Sequence, residues 1–191
     1  MPKQVLLIDN GSRHLFQIQR LLKGADVTIV RPSQIPDLLV RSFDLIILSG
    51  GGRWSVVGRS RHYQHETELI RAAEVPIIGI CLGFELIIKV HGGQLSRRTR
   101  QIKGKYSIQL APGTWPSLVS EPIVYEAHHW VARKAPTGLI ELARSRRGVE
   151  IVQVSGQPVY GLQFHPEITL PASNGRQIWN AILKDLGLVL S

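Results

Sequence analysis

The chain has 191 residues, of which 43% are hydrophobic and 19% are charged, and this composition excludes an extensively disordered chain. The formal net charge is +9 and there is one cysteine, which excludes an internal disulfide framework and leads us to expect a cytoplasmic protein. No apolar run approaches the ~20 residues that a membrane-spanning helix needs, and the run at residues 5–8 is too short for a secretory signal.

The first half of the chain alternates predicted strands with predicted helices. Short apolar runs predict buried strands at residues 5–8, 27–30, 45–48 and 77–80. Helical spacing of apolar residues predicts helices at residues 15–22, around 36–41, at 62–73 and from 82 to about 90. This alternation predicts an open, mostly parallel sheet with flanking helices, and ligands bind such sheets at the carboxyl ends of the strands.

Shorter predicted strands follow after residue 93. They cover residues 106–110, 123–126, 139–143, 149–154 and 159–163, and a final helix is predicted at about 175–186. The short turns between them favour antiparallel or mixed pairing, so we expect a smaller antiparallel sheet beside the parallel one. Because no internal repeat or linker is visible, we expect a single domain over residues 1–191.

Cys81 stands at the predicted corner between the strand at 77–80 and the helix that follows. A sharp strand-to-helix turn exposes a nucleophile at the edge of a sheet and points a helix N-terminus at it, which favours the thiolate. Gly79 and Gly83 lack the side chains that would obstruct such a turn. A lone cysteine is also a common small core residue, so its assignment as a nucleophile depends on partners.

A histidine and a carboxylate, His165 and Glu167, follow the last predicted strand. A histidine can take the proton of a thiol and return it to a leaving group, and a neighbouring carboxylate fixes its tautomer and stabilises the imidazolium. Pro166 restricts the spacer between them. The alternative interpretation is a capped strand end with a structurally satisfied histidine.

A run of three glycines, residues 50–52, follows the third predicted strand. Residues without Cβ atoms let backbone amides approach a substrate and stabilise an oxyanion. Glycine loops are also common turns, so this run specifies little by itself. Together with Cys81, His165 and Glu167, it completes a Cys–His–Glu set for acyl transfer.

These segments resemble the class I glutamine amidotransferases. The family's nucleophile motif is usually G-I-C-L-G-H-Q, its oxyanion loop S-G-G-P and its terminal motif Y-G-V-Q-F-H-P-E. The chain has GICLGFE at residues 79–85, SGGG at 49–52 and YGLQFHPE at 160–167. The resemblance covers essentially the whole chain and implies a flavodoxin-like, mostly parallel sheet with a smaller antiparallel sheet.

The resemblance also implies roles for individual residues. Cys81 would be the nucleophile, His165 the general base and acid, and Glu167 the residue that orients His165. The oxyanion would be held by the backbone amides of Leu82 and of Gly51 or Gly52. The implied substrate contacts are Gly50, Glu85, Tyr106 and Ser107. The last two lie in KGKYS at 103–107, which resembles a segment whose backbone contacts glutamine in anthranilate and aminodeoxychorismate synthase glutaminases.

The implied reaction is hydrolysis of the glutamine side-chain amide through a γ-glutamyl thioester, with release of ammonia. Since no synthetase domain is visible in the sequence, we expect a separate synthetase partner to receive the ammonia. Within the family, the chain is most similar to the stand-alone glutaminase subunits of two-subunit GMP synthetases, on the basis of IDNG at 8–11, AH at 127–128 and PTGLIELA at 136–143. No cofactor, metal ion or membrane partner is expected.

Two segments depart from the family pattern. Phe84 and Glu85 replace the usual His and Gln after the nucleophile, and HHW at 128–130 replaces residues similar to S-H-G-D. Because the same G-F-E occurs in γ-glutamyl hydrolases, an enzyme that cleaves γ-glutamyl amides or peptides is the first alternative. A non-catalytic binding or regulatory protein on the same fold is the second.

Positive charge is concentrated in three clusters: Arg53, Arg59 and Arg61; Arg97, Arg98, Arg100, Lys103 and Lys105; and Arg144, Arg146 and Arg147. We interpret these clusters first as solvated surface, and alternatively as a surface for an acidic protein or a phosphorylated substrate. No aromatic-rich strand or recognition-helix pattern accompanies them, so nucleic acid is not expected. The spacing of His62, His65 and Glu66 matches no metal-binding motif.

Overall fold

The computed structural model describes residues 1–52, 54–58 and 60–188. In this part of the chain the strands are β1 (Gln4–Ile8), β2 (Asp26–Val30), β3 (Leu45–Leu48), β4 (Ile77–Ile80), β5 (Leu95–Ser107), β6 (Gln109–Leu110), β7 (Ile123–Ala132), β8 (Leu139–Arg144), β9 (Val149–Val154) and β10 (Val159–Leu162). The helices are α1 (Leu15–Leu21), α2 (Gln64–Ala72), α3 (Leu82–Val90) and α4 (Gly175–Asp185), with 3₁₀ segments at Pro32–Asp37, Val40–Ser42 and Ser60–Tyr63. None of the helices in the described residues is long and apolar enough to cross a bilayer.

Eight strands form the main sheet, in the order β2–β1–β3–β4–β10–β9–β8–β6. The first five strands in this order are parallel, and the last three pair antiparallel with their neighbours. The central parallel strands are almost continuously apolar because they are buried on both faces. The predicted open, mostly parallel sheet is confirmed.

Helices cover both faces of the main sheet. On one face, Ile18 of α1 and Trp179 of α4 belong to the same core cluster as Leu7 of β1. On the other face, Phe84 of α3 belongs to the same core cluster as Leu6 of β1. Adjacent strand residues serve different clusters because successive side chains point to opposite faces. The buried parallel strands therefore form a fixed platform for the loops at their carboxyl ends.

The strands β5 and β7 form a separate two-stranded antiparallel sheet, which we call the ribbon. A smaller antiparallel sheet is confirmed, but β8, β9 and β10, which the sequence predicts to pair beside the parallel sheet, join the main sheet instead. The sequence predicts the first strand of the ribbon only from residue 106, whereas β5 begins at Leu95. The start of β5 is a run of exposed residues that includes Arg97, Arg98 and Arg100, and an exposed run lacks the apolar alternation that marks a half-buried strand. Pairing with β7 extends both strands beyond their predicted limits.

Two predicted helices differ in the structure. In place of a helix around residues 36–41 there are two 3₁₀ segments, Pro32–Asp37 and Val40–Ser42, separated by extended backbone at Leu38. Pro36 lies inside the first segment, where it has no N–H to donate to the hydrogen bond that an α-helix would need at that position. The helix predicted at 62–73 begins as a 3₁₀ turn, and α2 itself starts at Gln64.

The three basic clusters have different environments. In the first, Arg53 and Arg59 lie outside the described residues. The second follows the exposed side of β5. In the third, Arg147 is 26% exposed and forms a 2.9 Å ion pair with the buried Glu126, so this arginine is part of the interior and not only of the solvated surface.

Candidate active site

Cys81 lies between β4 and α3, at the carboxyl edge of the main sheet. Its backbone dihedrals are φ 52° and ψ −95°, a conformation that costs a non-glycine residue about 1–3 kcal/mol and persists only when the surroundings impose it. Its amide donates to the carbonyl oxygen of Leu162 at 2.7 Å. A Cβ on Gly79 would lie 2.5 Å from the carbonyl carbon of Gly83, and a Cβ on Gly83 would lie 2.5 Å from the carbonyl oxygen of Leu48. The corner therefore requires both glycines.

His165 and Glu167 follow β10, which pairs in parallel with β4. His165 Nδ1 donates to Glu167 Oε1 at 2.8 Å, since a carboxylate can only accept. Both side chains are buried, with 6% and 4% of their surface exposed, and the His165 amide donates to the Tyr125 carbonyl at 2.8 Å. His165 Nε2 has no hydrogen-bond partner among the described residues, so the ring is fixed in orientation while this nitrogen is available.

Gly50 lies between the thiol-bearing and histidine-bearing segments. A Cβ built on Gly50 would lie 3.3 Å from His165 Cε1 and 3.6 Å from Cys81 Cβ. The end of β3, the corner after β4 and the segment after β10 therefore meet at one point. The structure brings together three segments that are far apart in the sequence and that were each selected by their own pattern.

The predicted oxyanion residues surround the first turn of α3. Leu82 is the first residue of that helix, where backbone amides lack partners within the helix. A Cβ on Gly51 would collide with the carbonyl oxygen of Asn10 and lie 3.2 Å from Leu82 Cδ1, whereas a Cβ on Gly52 would meet nothing within 4 Å. Gly51 is thus closely packed against Asn10 and Leu82, and Gly52 borders open space. Their role as amide donors to a substrate stays a prediction.

The thiol and the imidazole alter each other's protonation. Burial raises the pKa of the Cys81 thiol, and the neighbouring His165 opposes that rise. Burial works against protonation of His165, but its interactions with Cys81 and Glu167 raise its pKa well above the usual value. A thiolate is therefore favoured here only as one half of a pair with the imidazolium.

Glu85 lies one turn into α3, and its amide donates to the Cys81 carbonyl at 3.0 Å. The side chain is 5% exposed, and burial raises its pKa to about 8 although the neighbouring Gln163 side chain opposes the rise. At neutral pH the group is mainly a neutral acid, which can donate a hydrogen bond as a glutamine amide does. Phe84 is fully buried in the core cluster on the α3 face of the sheet.

Tyr106 and Ser107 lie near the end of β5, paired with Val124 and Ile123 of β7. The Tyr106 hydroxyl donates to the Lys103 carbonyl at 3.3 Å, and its half-buried ring lies under the Arg147 guanidinium at 3.8 Å. β7 also contains Tyr125, whose carbonyl accepts the His165 amide, so the ribbon adjoins the site through its backbone. Contact of Tyr106 or Ser107 with a substrate stays a prediction.

His14, which no sequence pattern singles out, also lies at this site. Its ring lies edge-on to that of His165, with centroids 5.8 Å apart and planes at 71°. Burial, and then the nearby His165, lower the pKa of His14, which favours a neutral ring beside the imidazolium. The position of His14 in the chain could have predicted this placement. His14 lies in the loop after β1, and the loops after all parallel strands of a sheet share one edge.

The sequence model of the family Glutamine amidotransferase class-I matches residues 6–184. The chain is 31% identical over 172 residues to a protein of Thermococcus kodakarensis that is named as a subunit of glutamine-hydrolyzing GMP synthase, an alignment that covers 86% of this chain and 89% of that protein. It is 28% identical over 170 residues to the protein of the same name from Methanopyrus kandleri, with the same coverage of 86% and 89%.

A solved structure shares the fold. The crystal structure of a Thermoplasma acidophilum protein proposed to be a subunit of GMP synthase aligns with a TM-score of 0.83 and 24% sequence identity, over 98% of this chain and 95% of that chain. At this identity the likeness establishes the architecture and nothing about the reaction.

Proposed function

Because the chain belongs to the class I glutamine amidotransferase family, we propose that it is a glutaminase that hydrolyses the side-chain amide of glutamine through a γ-glutamyl thioester on Cys81. The observation that carries this proposal is the convergence of three segments at Gly50, which lies beside both Cys81 and His165. The family supplies the substrate class, and the convergence supplies a thiol next to an oriented base.

The first half of the proposed reaction forms the thioester. His165 Nε2 takes the thiol proton, and the Cys81 sulfur attacks the side-chain carbonyl carbon of glutamine. The backbone amides of Leu82 and of Gly51 or Gly52 hold the oxyanion, a contribution worth roughly 100- to 1000-fold in rate for each donor. The intermediate collapses when the C–N bond breaks, and the proton on His165 passes to the departing nitrogen, which leaves as ammonia.

The second half regenerates the thiol. His165 takes a proton from water, and the resulting hydroxide equivalent attacks the thioester carbonyl. The C–S bond then breaks, the proton returns from His165 to the sulfur, and glutamate leaves. Throughout both halves the 2.8 Å hydrogen bond to Glu167 keeps Nδ1 protonated and stabilises the imidazolium.

We further propose that the ammonia passes to a separate synthetase partner. Two relatives are named as subunits of a glutamine-hydrolyzing GMP synthase, and this chain spans most of their length. A GMP synthetase partner is therefore the specific acceptor to test first.

The direct test is release of ammonia and glutamate from glutamine by the purified protein. Equal yields of the two products are expected, with complete loss in Cys81→Ala and full retention in Glu141→Gln, which alters a carboxyl on β8, three strands away from β4 in the main sheet. A glutamine-analogue affinity label should add once per chain, since Cys81 is the single cysteine. Turnover that persists in Cys81→Ala contradicts the mechanism, and a folded protein that neither turns over nor labels supports a non-catalytic role.

A γ-glutamyl hydrolase is the second candidate, favoured by the buried Glu85 acid beside Cys81. The two functions separate in a comparison of kcat/KM for glutamine and for γ-glutamyl peptides. The leading proposal expects glutamine to be preferred both by the natural chain and by Glu85→Gln. Preference for peptides that Glu85→Gln reverses would support the hydrolase instead.

A further inference from the structure

Three buried side chains converge between the ribbon and the main sheet, and none of them is assigned to the reaction. Glu126 and His128 come from β7 and Glu150 from β9, and they are 0%, 4% and 1% exposed. One ligand-type atom from each lies within 4.8 Å of the others. Glu126 and His128 share one face of β7 because they are two residues apart on a strand.

His128 and Glu126 present two acceptor atoms to each other. His128 Nδ1 lies 2.8 Å from the Trp130 carbonyl oxygen, and since a carbonyl only accepts, Nδ1 carries the hydrogen. In a neutral ring Nε2 is then a bare lone pair, and it lies 3.2 Å from Glu126 Oε2. Arg147 occupies the other oxygen, Oε1, at 2.9 Å. Two lone pairs repel each other, so a cation must lie at His128 Nε2 and Glu126 Oε2, and it can be either a proton or a metal ion.

Glu150 supplies a third atom. Its Oε1 accepts a hydrogen bond from the Ser145 hydroxyl at 2.6 Å, while its Oε2 is buried without a partner among the residues that the structure describes. A buried carboxylate oxygen without a partner is costly, and a bound cation would remove that cost.

We infer that Glu126, His128 and Glu150 bind one divalent transition-metal ion, with Zn²⁺ as the best match to one imidazole and two carboxylates. Each of the three side chains has an outer hydrogen bond that fixes its orientation, since His128 contacts the Trp130 carbonyl, Glu126 contacts Arg147 and Glu150 contacts Ser145. Such outer contacts are the usual companions of metal ligands. The sequence does not predict this site, because the three ligands come from two separate strands and form no motif.

The ion would join the ribbon to the main sheet next to the proposed reaction site. The carbonyl of Tyr125, the residue before Glu126, accepts the His165 amide at 2.8 Å, and the carbonyl of Glu150 accepts the Gln163 amide at 2.9 Å. Both ends of the segment that contains His165 are thus tied to the ligand strands. The expected role of the ion is structural, and the inference holds whether or not the chain hydrolyses glutamine.

The test uses the full chain carrying Cys81→Ala, so that the thiol cannot bind metal. After removal of metal with a chelator, the protein is titrated with Zn²⁺ alone, and bound metal is followed by calorimetry and by the melting temperature. We expect saturable binding of one equivalent and a melting temperature that rises with free Zn²⁺, as for any ligand that binds only the folded state. Absence of saturable uptake overturns the inference.

Two further variants in the same background identify the site. Glu150→Gln keeps the size of the side chain but removes the anionic ligand, and should weaken Zn²⁺ binding by about tenfold or more. Glu66→Gln changes another fully buried carboxyl, on α2, and should leave the affinity unchanged. Equal affinity in both variants would overturn the assignment and leave Glu126, His128 and Arg147 as a buried ion-pair network.

Cobalt provides a readout that does not depend on the folding of Glu150→Gln. The Cys81→Ala protein should develop a visible ligand-field spectrum that saturates at one equivalent of Co²⁺ and disappears when Zn²⁺ is added. A spectrum that never saturates, or that Zn²⁺ does not displace, contradicts a single specific site.

Discussion

At the Cys81 corner, backbone atoms approach so closely that glycine is required, whereas around Glu126 the backbone is ordinary strand and the contacts come from side chains. A Cβ on Gly83 would reach the Leu48 carbonyl oxygen at 2.5 Å, so the corner allows little variation in shape. The Glu126 cluster instead rests on hydrogen bonds and ion pairs, such as that from Arg147. Each of these contacts can be removed without a change in chain path.

This difference has a physical consequence. A corner fixed by van der Waals repulsion holds one geometry in every protonation state, as a reactive thiol requires. A cluster fixed by buried charges depends on what neutralises those charges. We therefore expect substitutions near Cys81 to change rate or packing, and substitutions around Glu126 to change stability through the charges that they leave unpaired.

The largest expected effect is the loss of turnover in Glu167→Gln. The amide would donate to His165 Nδ1, place the hydrogen on Nε2, and leave the ring unable to accept the thiol proton. Turnover should fall by about 10³–10⁴-fold, as for the corresponding change in a serine-protease triad, with little change in KM. Steady-state glutaminase assays give both numbers, and the unchanged activity of Glu141→Gln serves as the control. A loss under tenfold would remove Glu167 from the mechanism.

The second effect is a pH-dependent gain in stability in Glu85→Gln. The pKa of Glu85 in the folded chain is raised by burial to about 8, against ~4.3 when unfolded. Between these values the unfolded chain releases a proton that the folded chain retains, so the natural chain loses stability as pH rises. The free energy of unfolding of the variant minus that of the natural chain should be roughly 3–4 kcal/mol larger at pH 8 than at pH 5.

Urea unfolding of both proteins at pH 5 and pH 8 measures this gain. Other buried acids titrate in both proteins and cancel in the comparison. A stability difference that is the same at the two pH values would mean that Glu85 is ionised in the folded chain.

The third effect concerns the corner itself. Gly83→Ala should destabilise the fold by about 1–3 kcal/mol, because the new methyl group meets backbone and has no side chain to displace. Gly52→Ala is the matched control, since its Cβ would meet nothing within 4 Å, and should stay within ~0.5 kcal/mol. Both values come from urea unfolding. Equal stability of the two variants would show that the crowding at Gly83 relaxes freely.

The corner could be predicted from the sequence because its signals are local. Apolar runs mark strands buried on both faces, and residues that follow parallel strands meet at one edge. This rule predicts that Cys81 and the glycines at 50–52 lie together, and applied to the loop after β1 it would also have found His14. The strand at 159–163 is predicted as antiparallel or mixed, so the rule does not place His165 and Glu167 beside Cys81; the parallel pairing of β10 with β4 does. The family pattern added the roles of these residues.

The ribbon could not be predicted in the same way. The first part of β5 is exposed and carries arginines, so nothing in its pattern distinguishes it from a loop until its pairing with β7 is known. The cluster of Glu126, His128 and Glu150 depends on how β7 lies against β9, which is a matter of tertiary packing. Buried charges are rare and have no periodic signature, so only the structure reveals them.

The smallest effect tests the ribbon. The Arg147 guanidinium lies 3.8 Å from the centre of the Tyr106 ring, an arrangement worth about 0.5–1 kcal/mol. Tyr106→Leu removes the ring and keeps apolar bulk, so stability should fall by about that amount. The KM for glutamine should be unchanged, because the predicted substrate contact of this segment is through its backbone.

A double-mutant cycle with Arg147→Met isolates this pair. Arg147→Met alone also strips the buried Glu126 of its ion pair, and the cycle cancels that larger cost because it is present with either residue at position 106. A coupling of about 0.5–1 kcal/mol is expected. A coupling near zero would mean that Arg147 is held by Glu126 alone and that Tyr106 merely covers it. A rise in KM with Tyr106→Leu would instead assign the Tyr106 side chain to the substrate pocket, so that this part of the ribbon would belong to the Cys81 site.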